Sequence, residues 1–129
     1  MSHSRFVIDQ PAPAATPIPG ILHATWAGSD DGLKTLSLWR QSIAPGGATP
    51  PHSHECEEIV LCTAGRGEVH IGGEVHAFGA NQTLLLPPHV QHQIFSVGDV
   101  PLETTAVFAA TPVGVALPDG SALELPWRS

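Results

Sequence analysis

Basic residues are scarce in this chain. Lys34 is the only lysine, the arginines are scattered, and twelve acidic residues against five basic ones leave a net charge of −7. Nucleic acid demands a basic face and anionic membranes attract basic clusters, so neither partner is expected. Long apolar runs are also missing. Each hydrophobic stretch is cut by Gly, Pro or a polar residue, well short of the ~20 apolar residues of a membrane helix. No basic start followed by an apolar block is present, so no secretory signal is read and a cytoplasmic location is expected. Cysteine occurs only twice, at Cys56 and Cys62; both are read as reduced thiols rather than a disulfide framework. No apolar stripe at helical spacing is long enough to convince, which leaves no helix-turn-helix for a direct role on DNA.

What the chain does have is turns. Thirteen glycines and thirteen prolines separate short stretches read as strands: Leu22–Trp26, Lys34–Ile43, His52–His54, Glu57–Thr63, Glu68–Ile71, Val75–Phe78, Thr83–Leu86, Gln91–Val97 and Leu102–Ala109. Many short strands with regular turns imply an all-β, antiparallel sandwich or barrel. Residues 1–20, rich in Pro and Ala, read as an extended arm with little structure of its own, or one lying on the barrel or a partner subunit. Residues 21–111 form the barrel. Residues 112–129 form a small hairpin extension of the same domain, placed to cover the barrel mouth, close an edge or pair with another subunit. Around Gly72-Gly73, a three-residue loop pairing Ile71 with Val75 keeps the faces cleaner than a two-residue loop pairing Ile71 with Glu74. That register makes His70 and His76 surface residues.

The chemistry concentrates between residues 46 and 92. His52 and His54 are two apart, so on a strand both point to one face. Glu58 keeps the same parity, and His92 joins them if a second strand folds back alongside. Three imidazoles and a carboxylate on one wall suit one divalent transition metal ion, with coordination positions left open for a reactive ligand.

The spacing reads Gly46, five residues, His52-Ser53-His54, three residues, Glu58, six residues, Gly65; then Asn81, five residues, Pro87-Pro88-His89-Val90-Gln91-His92. It resembles the two signatures of the cupin superfamily, in the manner of a small single-domain, RmlC-like member. Three positions depart from the family pattern. Asn81 stands for a turn glycine and tolerates a left-handed backbone. His89 stands for the glycine of the Pro-x-Gly turn, and Ser96 stands where Asn is frequent. The resemblance implies a conical barrel of two antiparallel sheets, a double-stranded β-helix or jelly roll. It implies a metal held by His52, His54, Glu58 and His92, drawn from iron, manganese, nickel, copper and zinc.

Around these residues the parity places Val60, Cys62 and Ile94 in the substrate pocket and points Gln91 and Gln93 outward. Glu55 and Glu57 are read as solvated, and His3 and His23 as surface residues. Glu58 is the candidate base if it leaves the ion, and His89 the candidate for proton transfer at the mouth. The function expected is a metal-dependent cupin acting on a small organic substrate, with dioxygenase-type oxidation ahead of isomerase, decarboxylase or lyase chemistry. A non-enzymatic module binding a metabolite or a metal is the alternative. The outward Ile59 and Leu61 lead to an expected homodimer.

Overall fold

The computed structural model describes residues 5–129; His3 lies outside the described residues. The strands are β1 (Ala14–Ala15), β2 (Ile21–Ala27), β3 (Ser37–Ile43), β4 (Glu58–Ala64), β5 (Arg66–Ile71), β6 (Glu74–Gly79), β7 (Gln82–Leu86), β8 (His92–Ser96) and β9 (Leu102–Phe108). They pair antiparallel into a six-stranded sheet, ordered β1-β2-β3-β9-β4-β7, facing a three-stranded sheet, β6-β5-β8. Among the described residues no helix is long and apolar enough to cross a membrane.

Alternation explains most of the architecture. In β4 and β9 every second residue is buried, so Glu58, Val60 and Cys62 face inward beside Phe108, Ala106 and Thr104. Ile59 and Leu61, of opposite parity, stay about 40% exposed (41% and 40%). Register then carries each inward residue across the sheet. Glu58 lies level with Phe108 and Ser37, Val60 with Ala106 and Trp39, and Cys62 with Thr104 and Gln41. The core between the sheets is closed by Ile43, Leu102 and Phe108, all at or below 1% exposure, which supplies the apolar burial that drives folding.

Four expectations need correction. First, Ile71 pairs with Glu74 and Val69 with His76, so the loop is the two-residue Gly72-Gly73. Both glycines take positive φ, 57° and 80°, the backbone of a hairpin turn that matches strand twist; turn geometry outweighed face polarity. His70 and His76 nevertheless stay accessible, beside Glu68 and Glu74. Second, the residues at His52–His54 form isolated bridges, His52 to His92 and Ser53 to Ala116, not a regular strand. The preceding Pro50-Pro51 removes two backbone donors. Third, β3 starts at Ser37, after a 3₁₀ turn at Ser29–Asp31 and an exposed stretch. Fourth, His23 is buried. It stacks on Trp127 at 4.0 Å, meets Trp39 edge-on and is hydrogen-bonded to Thr25 and Gln41. The N-terminal arm lies on its own barrel: β1 pairs with β2, and the Trp26 indole N–H donates to the Pro11 carbonyl at 2.9 Å.

Candidate metal centre

The bridge between His52 and His92 brings the two sequence stretches together. His52 N donates to His92 O at 3.0 Å and His92 N to His52 O at 2.8 Å. His54 follows two residues on, and Glu58 enters from the start of β4. The ligand nitrogens of His52, His54 and His92 lie within 4.8 Å of one another. Glu58 Oε1 stands 3.4 Å from His54 Nε2 and 3.6 Å from His92 Nε2.

Each imidazole is oriented by a backbone carbonyl. His52 Nδ1–H donates to Pro50 O at 2.6 Å, His54 Nδ1–H to Gly114 O at 2.7 Å, and His92 Nδ1–H to Val90 O at 3.1 Å. A carbonyl only accepts, so each Nδ1 carries the proton and each Nε2 presents a lone pair. Burial holds the rings neutral. It lowers the pKa of His52 to about 3 and of His92 to about 4, and lowers that of His54 as well. Burial also pushes Glu58 up to about 8. The Glu58 contacts are therefore not ion pairs, and among the described residues its Oε1 is buried with no hydrogen-bond partner. An orphaned carboxylate oxygen facing neutral imidazole lone pairs is a costly arrangement for a metal-free protein. It matches neighbouring ligands on one ion, which stand roughly 3 Å apart when each bond is about 2.1 Å. The residues present fit a divalent metal.

The four side chains line a cavity of about 60 Å³. Val60 and Ile94 line it. Cys62 is buried but does not reach the cavity wall, because its thiol turns to the Ala64 carbonyl at 3.4 Å. His89 is not brought together with the other four. It is exposed, holds a left-handed backbone at φ 66°, and its N–H donates to the His54 carbonyl at 2.7 Å. Asn81 takes a similar conformation at φ 70°, as its residue type allows. Glu55 and Glu57 are exposed.

The cupin domain model matches residues 39–108. The chain belongs to the cupin family. This cupin is 32% identical over 108 residues to auxin-binding protein 1 of Arabidopsis thaliana, covering 75% of this chain and 54% of that one. The chain spans just over half the length of the curated auxin-binding relatives it matches. Its barrel superposes on oxalate oxidase with a TM-score of 0.75 at 22% identity, covering 90% of this chain and 65% of that one. It superposes on the polyketide cyclase RemF of Streptomyces resistomycificus with a TM-score of 0.67 at 20% identity, covering 88% and 82%. At these identities the two structures establish the fold and leave the reaction open.

Residues beyond the matched region matter to the site, and the motifs did not announce them. Gly114 orients His54 from sixty positions away, and Val115, Leu123, Leu125 and Trp127 form part of the cavity wall. For Gly114 no local signal existed. For His52 and His92 one did: each donates to the carbonyl two residues before it.

Proposed function

We propose that this cupin is a metal-dependent enzyme that turns over a small, oxygen-bearing organic molecule, with dioxygen as co-substrate. His52, His54, Glu58 and His92 hold one divalent transition metal ion. Bound there, the ion supplies Lewis acidity for a substrate oxygen and, if redox-active, an electron path to dioxygen. The observation that carries the reading is the three locked imidazoles converging on Glu58 Oε1, which is buried and without a hydrogen-bond partner among the described residues.

The chain's own groups divide the work. The carbonyls of Pro50, Val90 and Gly114 keep the Nε2 atoms aimed at one point. Val60, Ile94 and the other apolar residues of the cavity exclude water and receive the carbon skeleton. Glu58 is the interior carboxyl able to hold or release a proton at the reacting end. The protein is proposed to work as a homodimer in the cytoplasm.

Elemental analysis of protein purified without added metal tests the first half, with occupancy compared in His52→Ala and His92→Ala. Oxygen uptake against catechols, β-diketones, keto acids and uronates tests the second. Iron or manganese with oxygen uptake supports the oxidation reading. Turnover of a keto acid or uronate without oxygen uptake replaces it with lyase or isomerase chemistry. One observation favours a second reading, a binding module: the relative named above is an auxin-binding protein. Tight ligand binding with no turnover across the panel decides for it.

A further inference from the structure

We propose that Trp127 is the specificity-determining residue of this pocket: a latch made by the two residues after it holds its indole as a wall and limits how large a substrate reaches the metal centre. The proposal rests on the small-molecule reading above and names its substrate class.

The wall comes from a part of the chain outside the matched cupin region. After Phe108 the polypeptide folds back, and Trp127 joins Leu123 and Leu125 along the cavity. The indole stacks on His23 at 4.0 Å and meets Trp39 edge-on at 5.5 Å. Its own N–H is buried and without a hydrogen-bond partner among the described residues. Packing and the anchoring of the neighbouring backbone therefore place the ring.

The anchoring is dense. The Arg128 guanidinium reaches Asp31 at 3.0 Å and the Thr25 carbonyl at 3.2 Å, and the Thr25 hydroxyl donates to the Arg128 carbonyl. Val113 N–H donates to Ser129 Oγ at 2.9 Å, and the Thr111 hydroxyl donates to Ser129 O at 3.2 Å. Ser129 also lies directly against Gly28, where an added Cβ would come within 2.9 Å of its carbonyl carbon. Gly28 has an extended φ of −178°, so alanine suits its backbone and the obstruction is purely steric. Gly28 is not on the cavity wall. A methyl group there loosens the latch and leaves the pocket lining unchanged.

Size sets the substrate class. A cavity of about 60 Å³ is small against the roughly 300–1,000 Å³ of ordinary ligand pockets. With the latch closed, the pocket takes a short carboxylic acid, keto acid or enol and rejects a molecule that carries a six-membered ring.

The test loads wild type, Trp127→Ala, Trp127→Phe and Gly28→Ala with Mn(II) and follows ligand access to the ion by water-proton relaxation. Acetate is expected to bind all four alike. Cyclohexanecarboxylate is expected to bind Trp127→Ala and Gly28→Ala at least about tenfold more tightly than wild type, the scale on which apolar pockets discriminate by size. Trp127→Phe, which keeps a six-membered ring but loses the pyrrole half of the indole with its unused N–H, is expected to fall between wild type and Trp127→Ala. Separately, metal-free Trp127→Ala is titrated with indole by ligand-observed NMR and gains at least about tenfold over wild type. Wild type binding cyclohexanecarboxylate as tightly as acetate overturns the proposal. So does a Trp127→Ala protein that gains nothing for indole; if that variant does not fold, an unchanged Gly28→Ala does the same. A protein that takes up no Mn(II) overturns the metal reading, and the indole titration still decides the role of Trp127.

Discussion

His54 and Gly114 are joined by a 2.7 Å hydrogen bond from the imidazole Nδ1–H to the backbone carbonyl. One is a metal-ligand candidate within the cupin motif, and the other belongs to the tail that follows the matched region. Valines on either side pin Gly114: Val113 is 5% exposed and Val115 is 8% exposed. The orientation of a ligand thus depends on hydrophobic packing in a segment the family motif does not include.

Loosening that packing should weaken the metal site. The double substitution Val113→Ala, Val115→Ala leaves every ligand in place but frees the Gly114 carbonyl. Loss of an orienting partner typically costs about 10–100-fold in metal affinity. Competition with a chromophoric chelator measures it; unchanged affinity would detach the tail from the site.

Glu58→Gln should move two quantities in opposite directions. Metal affinity falls roughly a hundredfold, because the carboxylate charge is lost at close range. Metal-free stability at pH 7 rises, on the order of 1 kcal/mol, because the unfolded Glu58 no longer loses its preferred ionised state on burial. Chelator competition and urea unfolding of the same two proteins give both values.

Metal-free stability should peak near pH 6.5. His23, His52 and His92 have folded pKa values of about 4, 3 and 4 against an ordinary 6.5. Between about pH 4 and 6.5 the unfolded chain binds more protons, so stability falls as the solution is acidified through that window. Glu58 has the reverse sign. Its folded pKa of about 8 exceeds the ordinary 4.5, so the folded protein binds the extra proton, and stability declines as pH rises from about 6.5 to 8. Bound metal keeps Glu58 ionised and removes the alkaline decline. Below pH 8, binding one ion releases about one proton, and affinity climbs about tenfold per pH unit. Urea unfolding from pH 4.5 to 9 and calorimetry in buffers of different ionisation heat check these signs.

The outward face of the large sheet should be a subunit contact. Ile59, Leu61 and Leu85 are exposed at 41%, 40% and 75%, an unusual grouping for a surface that stays in water. Light scattering is expected to give a dimer, and Ile59→Lys with Leu85→Lys a monomer that still binds metal. A wild-type monomer at high concentration removes this contact.

Much of the barrel was legible because alternation and turn chemistry are local. The strands from Glu58 to Phe108 follow hydrophobic residues at every second position between Gly, Pro and Asn turns. The same parity placed His54, Glu58, Val60 and Ile94 inward. Parity failed where other forces competed. At Gly72-Gly73 the turn's backbone preference set the register. At Cys62 an inward position did not mean a cavity-facing thiol, because the rotamer satisfied a nearby carbonyl. His23 looked like a lone surface residue because its partners Gln41 and Trp127 are far along the chain.

By itself the sequence determined an all-β barrel, the donor types His52, His54, Glu58 and His92, and a net charge of −7. These follow from periodicity, spacing and composition, which act over a few residues at a time. Only the tertiary structure decided which imidazole nitrogen carries the proton, how high Glu58 titrates, and which segment walls the cavity. Each of those depends on desolvation and on partners contributed by chain that is remote in sequence, and burial energies of that kind exist only once the sheets have closed.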